Sequence, residues 1–320
     1  MKDIDYATAV ARVKINENRL LDSSDIDRLI GAKTLDEAVA LLNEKGYSQS
    51  GAPISRLFDN QLEDAWKLIK EIAPDFSEFY FLLVKNDFHN LKAVLKGTIS
   101  GKSYDSLIIN PTITPVDLIK QAIDEQRWSI LPDYMQNTAK AAYEFFVNTS
   151  DGQLSDICID KGSLEAVVAL SKDNKDEFLR SLGDLIAATY DLRIAVRCSK
   201  LKMDAEHIKS ALCENCSLDS NALAQAAARG IDDLTEYIGK TKYSEAAVEL
   251  SKSIGDFEKW CDNSLIKYVE KARYSCFGAA PLAAYIIKKE AELKTVRIII
   301  SGKTTGMDED KIRRLIRQVY

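Results

Sequence analysis

The side chains able to do nucleophilic, redox or metal chemistry are few in this 320-residue chain: two histidines, His89 and His207, and six cysteines. Cys213-Glu214-Asn215-Cys216, with His207 upstream, has the ligand spacing of half a zinc site. A closed zinc site needs four ligands, and no second Cys-x-x-Cys or His-x-His follows. The pair therefore reads as two cysteines at a helix end or turn. Ser301-Gly302-Lys303-Thr304 contains the Gly-Lys-Thr of a phosphate loop, which also needs a preceding strand and a glycine five positions before Gly302. Arg297 stands at that position, and Gly302 reads instead as a helix cap. A Ser-His-Asp or Cys-His arrangement would have to recruit His89 or His207, and neither has a nucleophile or base context. Carboxylate runs such as Asp232-Asp233 and Asp308-Glu309-Asp310 suit helix starts, where acids cap and complement the dipole. No Glu-x-x-His pair exists to build a di-iron bundle. The expectation is a chain without a catalytic, cofactor or metal site.

The elements that carry these residues read as helices throughout. Leu35, Ala38, Val39 and Leu42 stand at i, i+3, i+4, i+7, as do Ile312, Leu315, Ile316 and Val319. Phe178, Leu182, Leu185, Ile186 and Thr189 extend the pattern over three turns, and each set makes one apolar helix face. Val296-Arg297-Ile298-Ile299-Ile300 is the one tempting strand, but it continues a Lys/Glu/Ala-rich helical approach. No proline stands between Pro132 and Pro281, which suits long helices. The fold class is all-α. Loops or turns are expected at Tyr47 to Pro53, Gly97 to Ser103, Asn110 to Thr114, Thr149 to Gly152 and Ser301 to Gly306.

Composition narrows the partners. With 49 acids against 43 bases the net charge is −6, the wrong balance for a general nucleic-acid binder. The residues from 288 onward carry nine bases and five acids, so that tail is basic on an acidic body. The longest apolar run, Ala279 to Ile287, is far short of the ~20 residues a bilayer crossing needs. The opening Met1 to Tyr6 lacks the apolar core of a signal peptide, so reduced thiols in a cytoplasm are expected.

Internal similarity is the most informative feature. Asp87-Phe-His-Asn90-Leu91-Lys92 recurs as Ala188-Thr-Tyr-Asp191-Leu192-Arg193 and again as Glu292-Leu-Lys-Thr295-Val296-Arg297. A second module, Leu35-Asp36-Glu37-Ala38 followed by Tyr47, recurs as Ile231-Asp232-Asp233-Leu234 followed by Tyr243. Three related helical lobes follow, at 1–127, 128–247 and 248–320, with the helix from Tyr6 to Leu21 completing the third. Lys92, Arg193 and Arg297 then occupy equivalent positions. They either line a surface that meets an acidic or helical partner, or act within each lobe as half-buried charges paired a helical step away, to Asp87 or Glu292.

Taken in order, Tyr6 with Arg12-Val13, the Leu35 to Tyr47 module, the Asp87 to Lys92 box and the closing Glu292-x4-Arg297-Ile298-Ile299-x2-Gly302-Lys303 with Ile312-Arg313 resemble one family. It is the family of the C subunits of A-type/V-type rotary ATPases, related to the d subunit of V-ATPases, and the resemblance spans essentially the whole chain. Ala188 stands where the box has an acid, and Asp191 and Thr295 stand where it has asparagine. The resemblance implies a non-catalytic, funnel-shaped adaptor of three helical lobes, without cofactor or small-molecule substrate. Its implied partners are the D and F proteins of the central stalk and the membrane rotor ring, met on the cytoplasmic side, with proton or sodium transport linked to ATP hydrolysis or synthesis. Two other classes compete with it: an α-helical scaffold binding other proteins, and an all-α enzyme with a buried metal or acid/base site.

Overall fold

A computed structural model describes residues 6–47, 54–149, 152–214 and 216–318, and among them every extended regular element is a helix. The expected loop at 48–53, the turn at Ser150-Asp151 and Val319 of the last apolar stripe lie outside the described residues. In chain order the helices are α1 (Ala7–Glu17), α2 (Ser23–Gly31), α3 (Leu35–Glu44), α4 (Ile54–Ile72), α5 (Tyr80–Ser100) and α6 (Val116–Asp124). They continue as α7 (Asp133–Thr149), α8 (Gly152–Lys172), α9 (Glu177–Lys200), α10 (Ala205–Ala211) and α11 (Ser220–Arg229). The last are α12 (Ile231–Gly239), α13 (Ser244–Lys252), α14 (Ile254–Val269), α15 (Ala280–Thr304) and α16 (Glu309–Leu315).

Many starts are written locally. Asp22 and Asp25 form a reciprocal capping box on α2, and Thr34, Asp176, Asp204, Asp219 and Ser253 each accept an N–H of the helix they precede. Asp232 and Asp233 occupy the first turn of α12, and Asp308 precedes Glu309 and Asp310 at the start of α16, as their spacing predicts.

Two compact units result. One joins Met1–Phe76 to Lys252–Tyr320, and the other is Ser77–Ser251. The first unit is organised on α15, a helix buried on nearly every side, with Leu282, Ala283, Ile286, Val296 and Ile299 all fully covered. Helices α1, α2, α3, α4, α14 and α16 all pack on it. Its core unites Leu21, Ile26, Leu29, Ile30, Leu42 and Phe58 from early in the chain with Leu293, Val296, Ile299, Ile300 and Ile312 from late in it. Each fully buried Leu or Ile contributes ~1.5–3 kcal/mol to that association. Pro281 is harmless where it stands, because the first turn of a helix has no partner for its missing N–H. At the same end the buried ammonium of Lys288 meets Glu17 of α1 at 2.7 Å. Burial pulls its pKa down, against the upward pull of Glu17.

In the second unit α8 lies between α5, α7 and α9, and α10 to α12 pack around α9 and one another. Helix α5 runs through Ser100, so the loop expected from Gly97 begins later. Gly101, at φ 67°, ends the helix in the left-handed conformation that glycine adopts without steric cost.

The C-terminal region departs further from its sequence reading. The turn expected at Ser301 to Gly306 is helical through Thr304, and Gly302 is an interior residue of α15, not a cap. Packing explains it: a Cβ on Gly302 would stand 2.7 Å from Ile312 Cγ1, so the glycine lets α16 close on α15. The last apolar stripe also stops early, at Leu315, with Ile316 extended. Beyond it Arg317 Nε donates to Asp262 Oδ2 at 2.5 Å, and the Gln318 N–H to Asn263 Oδ1 at 2.9 Å. Hydrogen bonds to α14 replace another helical turn.

Candidate functional site

The repeated boxes lie on α5, α9 and α15, and the structure reveals what their polar positions do. Five residues before each base stand Asp87, Ala188 and Glu292; two before it stand Asn90, Asp191 and Thr295. All six are buried. A polar group in such a place must find partners, and most of these find backbone N–H groups of a returning segment.

On α5, Asp87 accepts the N–H groups of Ile113 and Thr114, each at 2.9 Å, and the Tyr134 hydroxyl at 2.8 Å. Asn90 completes the grip by pairing both polar atoms of its amide with the backbone of Ile109 at 2.9 Å. The loop Asn110 to Thr114, expected from sequence, is therefore held as it returns toward α6. Burial raises the pKa of Asp87, and the hydrogen bonds it accepts oppose that rise. On α9 the upper position is Ala188, and Asp191 does the holding alone. It accepts the Cys213 N–H at 3.0 Å and the Cys216 thiol at 3.2 Å. Burial lifts its pKa to about 6, against the pull of those hydrogen bonds and of Lys161.

On α15 the positions reverse. Glu292 accepts the Leu21 N–H at 2.5 Å, just before α2, together with the Tyr47 hydroxyl at 2.5 Å and Lys289 at 2.7 Å. The Thr295 hydroxyl is buried with no partner among the described residues. Thus the box works through both positions once and through one position twice, which accounts for its loose sequence identity.

The bases behave differently from the acids. Lys92 pairs with Asp160 of α8 at 2.6 Å. Arg297, its side chain 54% exposed, meets Asp59 at 3.3 Å and lies over the Phe58 ring at 5.1 Å. Arg193 is half-buried and lies over the Tyr190 ring at 5.5 Å. The expected partners a helical step away, Asp87 and Glu292, are engaged elsewhere. Each is pulled inward by backbone donors, and Lys92 and Arg297 turn to acids on neighbouring helices.

The remaining candidates resolve into packing. Lys303 of the Gly-Lys-Thr segment donates to the carbonyls of Ile30, at 2.7 Å, and Ala32, so it neutralises the C-terminal end of α2. His89 contacts the Leu107 carbonyl at 2.9 Å, and His207 pairs with Asp204 at the start of α10. No cluster of three or more potential metal ligands occurs among the described residues. From sequence, Asp87 and Glu292 are expected only as partners of the bases, and their hold on backbone N–H groups is missed. The signal is present: a carboxylate or carboxamide set inside an otherwise apolar helix.

The described residues thus form an all-helical body whose recurrent polar residues grip its own returning segments. Residues 9–315 match the ATP synthase (C/AC39) subunit family, and the chain belongs to that family. It is similar to the C subunit of the V-type sodium ATPase of Enterococcus hirae, at 22% identity over 96% of this chain and 97% of the relative. It is also similar to the C subunits of the A-type ATP synthases of Methanocaldococcus jannaschii, at 24% over 97% and 86%, and of Thermococcus kodakarensis, at 24% over 98% and 91%. Membership makes it a non-catalytic component of a membrane-associated V-type/A-type ATPase. None of its described helices is long and apolar enough to cross a membrane.

Proposed function

We propose that the chain is the rotor adaptor of that complex, seated on the cytoplasmic face of the membrane rotor ring and receiving the lower end of the D and F stalk. Rotation passes through it, while ATP chemistry belongs to other subunits. The family match over residues 9–315, with relatives covered nearly end to end, carries this reading. A coupling piece must resist shear, and close-packed helices do so because their cores deform only at high cost. The buried grips on Leu21, Thr114 and Cys213 support the same task by tying returning segments to long helices. We also propose a tripled architecture with lobes at 1–127, 128–247 and 248–320; the Glu292 grip on Leu21 supports the part of it in which the chain's first residues complete the third lobe.

Lys92, Arg193 and Arg297 are the side chains we assign to partner contact, because each retains solvent exposure beside its internal partner. The test is co-expression with D and F stalk proteins and with rotor-ring membranes from the same source. Stable co-elution with either is expected, over an interface of at least ~1,000 Å². Failure to associate with both would sink the adaptor reading. Alanine at all three bases should leave the helical content intact and weaken stalk capture; unfolding would assign them to the fold instead.

A further inference from the structure

The adaptor role gives no task to the Cys-x-x-Cys segment, yet its geometry is specific. Cys213 is fully buried against Leu164, Val168 and Ala187, whereas Cys216 is half-buried at the edge of that cluster. The Cys216 Sγ stands 3.9 Å from the Cys213 carbonyl oxygen, so the two cysteines are close neighbours across one turn. The Cys216 Sγ also donates to Asp191 Oδ2 at 3.2 Å, while Asp191 Oδ1 holds the Cys213 backbone N–H at 3.0 Å. One buried carboxylate thus anchors both ends of a dithiol.

We propose that Cys213, Cys216 and Asp191 form a reversible modification site, a dithiol that closes to a disulfide by exchange with low-molecular-weight disulfides. Cys216, the more accessible thiol, gives its proton to Asp191 Oδ2 as its sulfur attacks one sulfur of the small disulfide. A mixed disulfide forms on Cys216, and the displaced thiolate leaves with the proton from Asp191. The Cys213 sulfur then attacks Cys216 Sγ, forming the protein disulfide, and the second small thiolate departs with the Cys213 proton. Two protein thiols are oxidised and the small disulfide is reduced to two thiols, so atoms and electrons balance.

Electrostatics requires that the thiol lose its proton only as it attacks. The Cys213 hydrogen bond, burial and the Asp191 charge hold the Cys216 thiol well above its ordinary range, so that thiol rests protonated. Moving the proton to Asp191 keeps a single negative charge in the site, which avoids the repulsion that a thiolate beside a carboxylate would meet. Asp191, lifted by burial to about 6, can hold that proton briefly. The other titratable groups facing the pair are Lys161 and Glu165 of α8, Glu214 beside the cysteines and Tyr237 of α12.

The experiment uses the full native chain in glutathione redox buffers, quenched by alkylation and mapped by mass spectrometry. Exposed Cys276 serves as the internal control for reagent access. We expect a 213–216 disulfide, a mixed disulfide trapped on Cys216 in Cys213→Ser, and protection of Cys213 in Cys216→Ser. The closure rate should rise as Asp191 ionises, with a midpoint near 6. Asp191→Asn should slow closure by about tenfold or more and remove the midpoint near 6. Complete glutathionylation of Cys276 with Cys213 and Cys216 untouched would overturn the proposal, as would closure only in denaturant. A wild-type rate that tracks Cys276 across pH would remove Asp191 from it even where Asp191→Asn does not fold.

Discussion

Replacing Glu292 by glutamine should open the first unit from inside. The carboxylate is 3% exposed and the ammonium it holds, Lys289, is 8% exposed at 2.7 Å. Glutamine keeps the volume and can still accept from Leu21 or Tyr47, but it leaves a buried cation facing only the Gln61 amide and the Tyr47 ring. Breaking a buried ion pair by removing one partner costs about 3–5 kcal/mol, mostly the penalty of the orphaned charge. The loss should fall on α2 and α3, which reach α15 through Leu21 and Tyr47. Hydrogen exchange read by mass spectrometry localises it: amides of α2 and α3 should exchange about two to four orders of magnitude faster, at 1.4 kcal/mol per tenfold. Those of α8 and α9, in the other unit, should not change. The double variant Glu292→Gln/Lys289→Met removes both charges and should recover most of the loss. A single variant costing under ~1 kcal/mol, or a double variant no better than the single, would refute the argument.

Three further outcomes are expected. Asp87→Ala removes the acceptor of two backbone N–H groups, that of Thr114 fully buried, and one of two partners of the Tyr134 hydroxyl, so it should cost about 2–4 kcal/mol in urea unfolding of the second unit; Asp87→Asn, which retains an acceptor, should cost clearly less. Gly302→Ala drives a methyl into Ile312 and should cost about 1–3 kcal/mol, with Ile312→Ala in the same chain recovering part of it. Asp191 should give a pH signature: its folded pKa is raised from 3.8 to about 6, so its contribution is full below pH 3.8 and is lost as pH rises through 6. At 1.36 kcal/mol per pKa unit the contribution is about 3 kcal/mol, read as the stability difference between wild type and Asp191→Asn from pH 4 to 8. A flat difference over that range would contradict the burial of its charge.

Periodicity makes the helices legible, because a stripe such as Phe178, Leu182 and Leu185 has only one geometry that buries it. What it does not reveal is where a helix stops when tertiary contacts compete. Gly302 looks like a terminator until Ile312 is seen filling the space over it, and the stripe through Leu315 and Ile316 gives no hint that Asp262 and Asn263 capture the next two residues. The repeated bases are visible through their charge, but their partners Asp160 and Asp59 come from distant segments that spacing along one helix cannot reach. The acids beside them belong to the same visible motif, and their grip on backbone N–H groups emerges only once the returning segments are in place.

The first unit is sewn from both ends of the chain, and that has a consequence for biosynthesis. A ribosome delivers Leu21, Ile30 and Leu42 long before Leu293, Val296 and Ile312, the surfaces that cover them. The second unit, continuous from Ser77 to Ser251, can condense meanwhile. Until α15 emerges, the early helices must keep an apolar face in water or in the care of a chaperone. Nascent chains stalled before residue 280 should therefore be protease-sensitive over α2 and α3 and protected over α8 and α9.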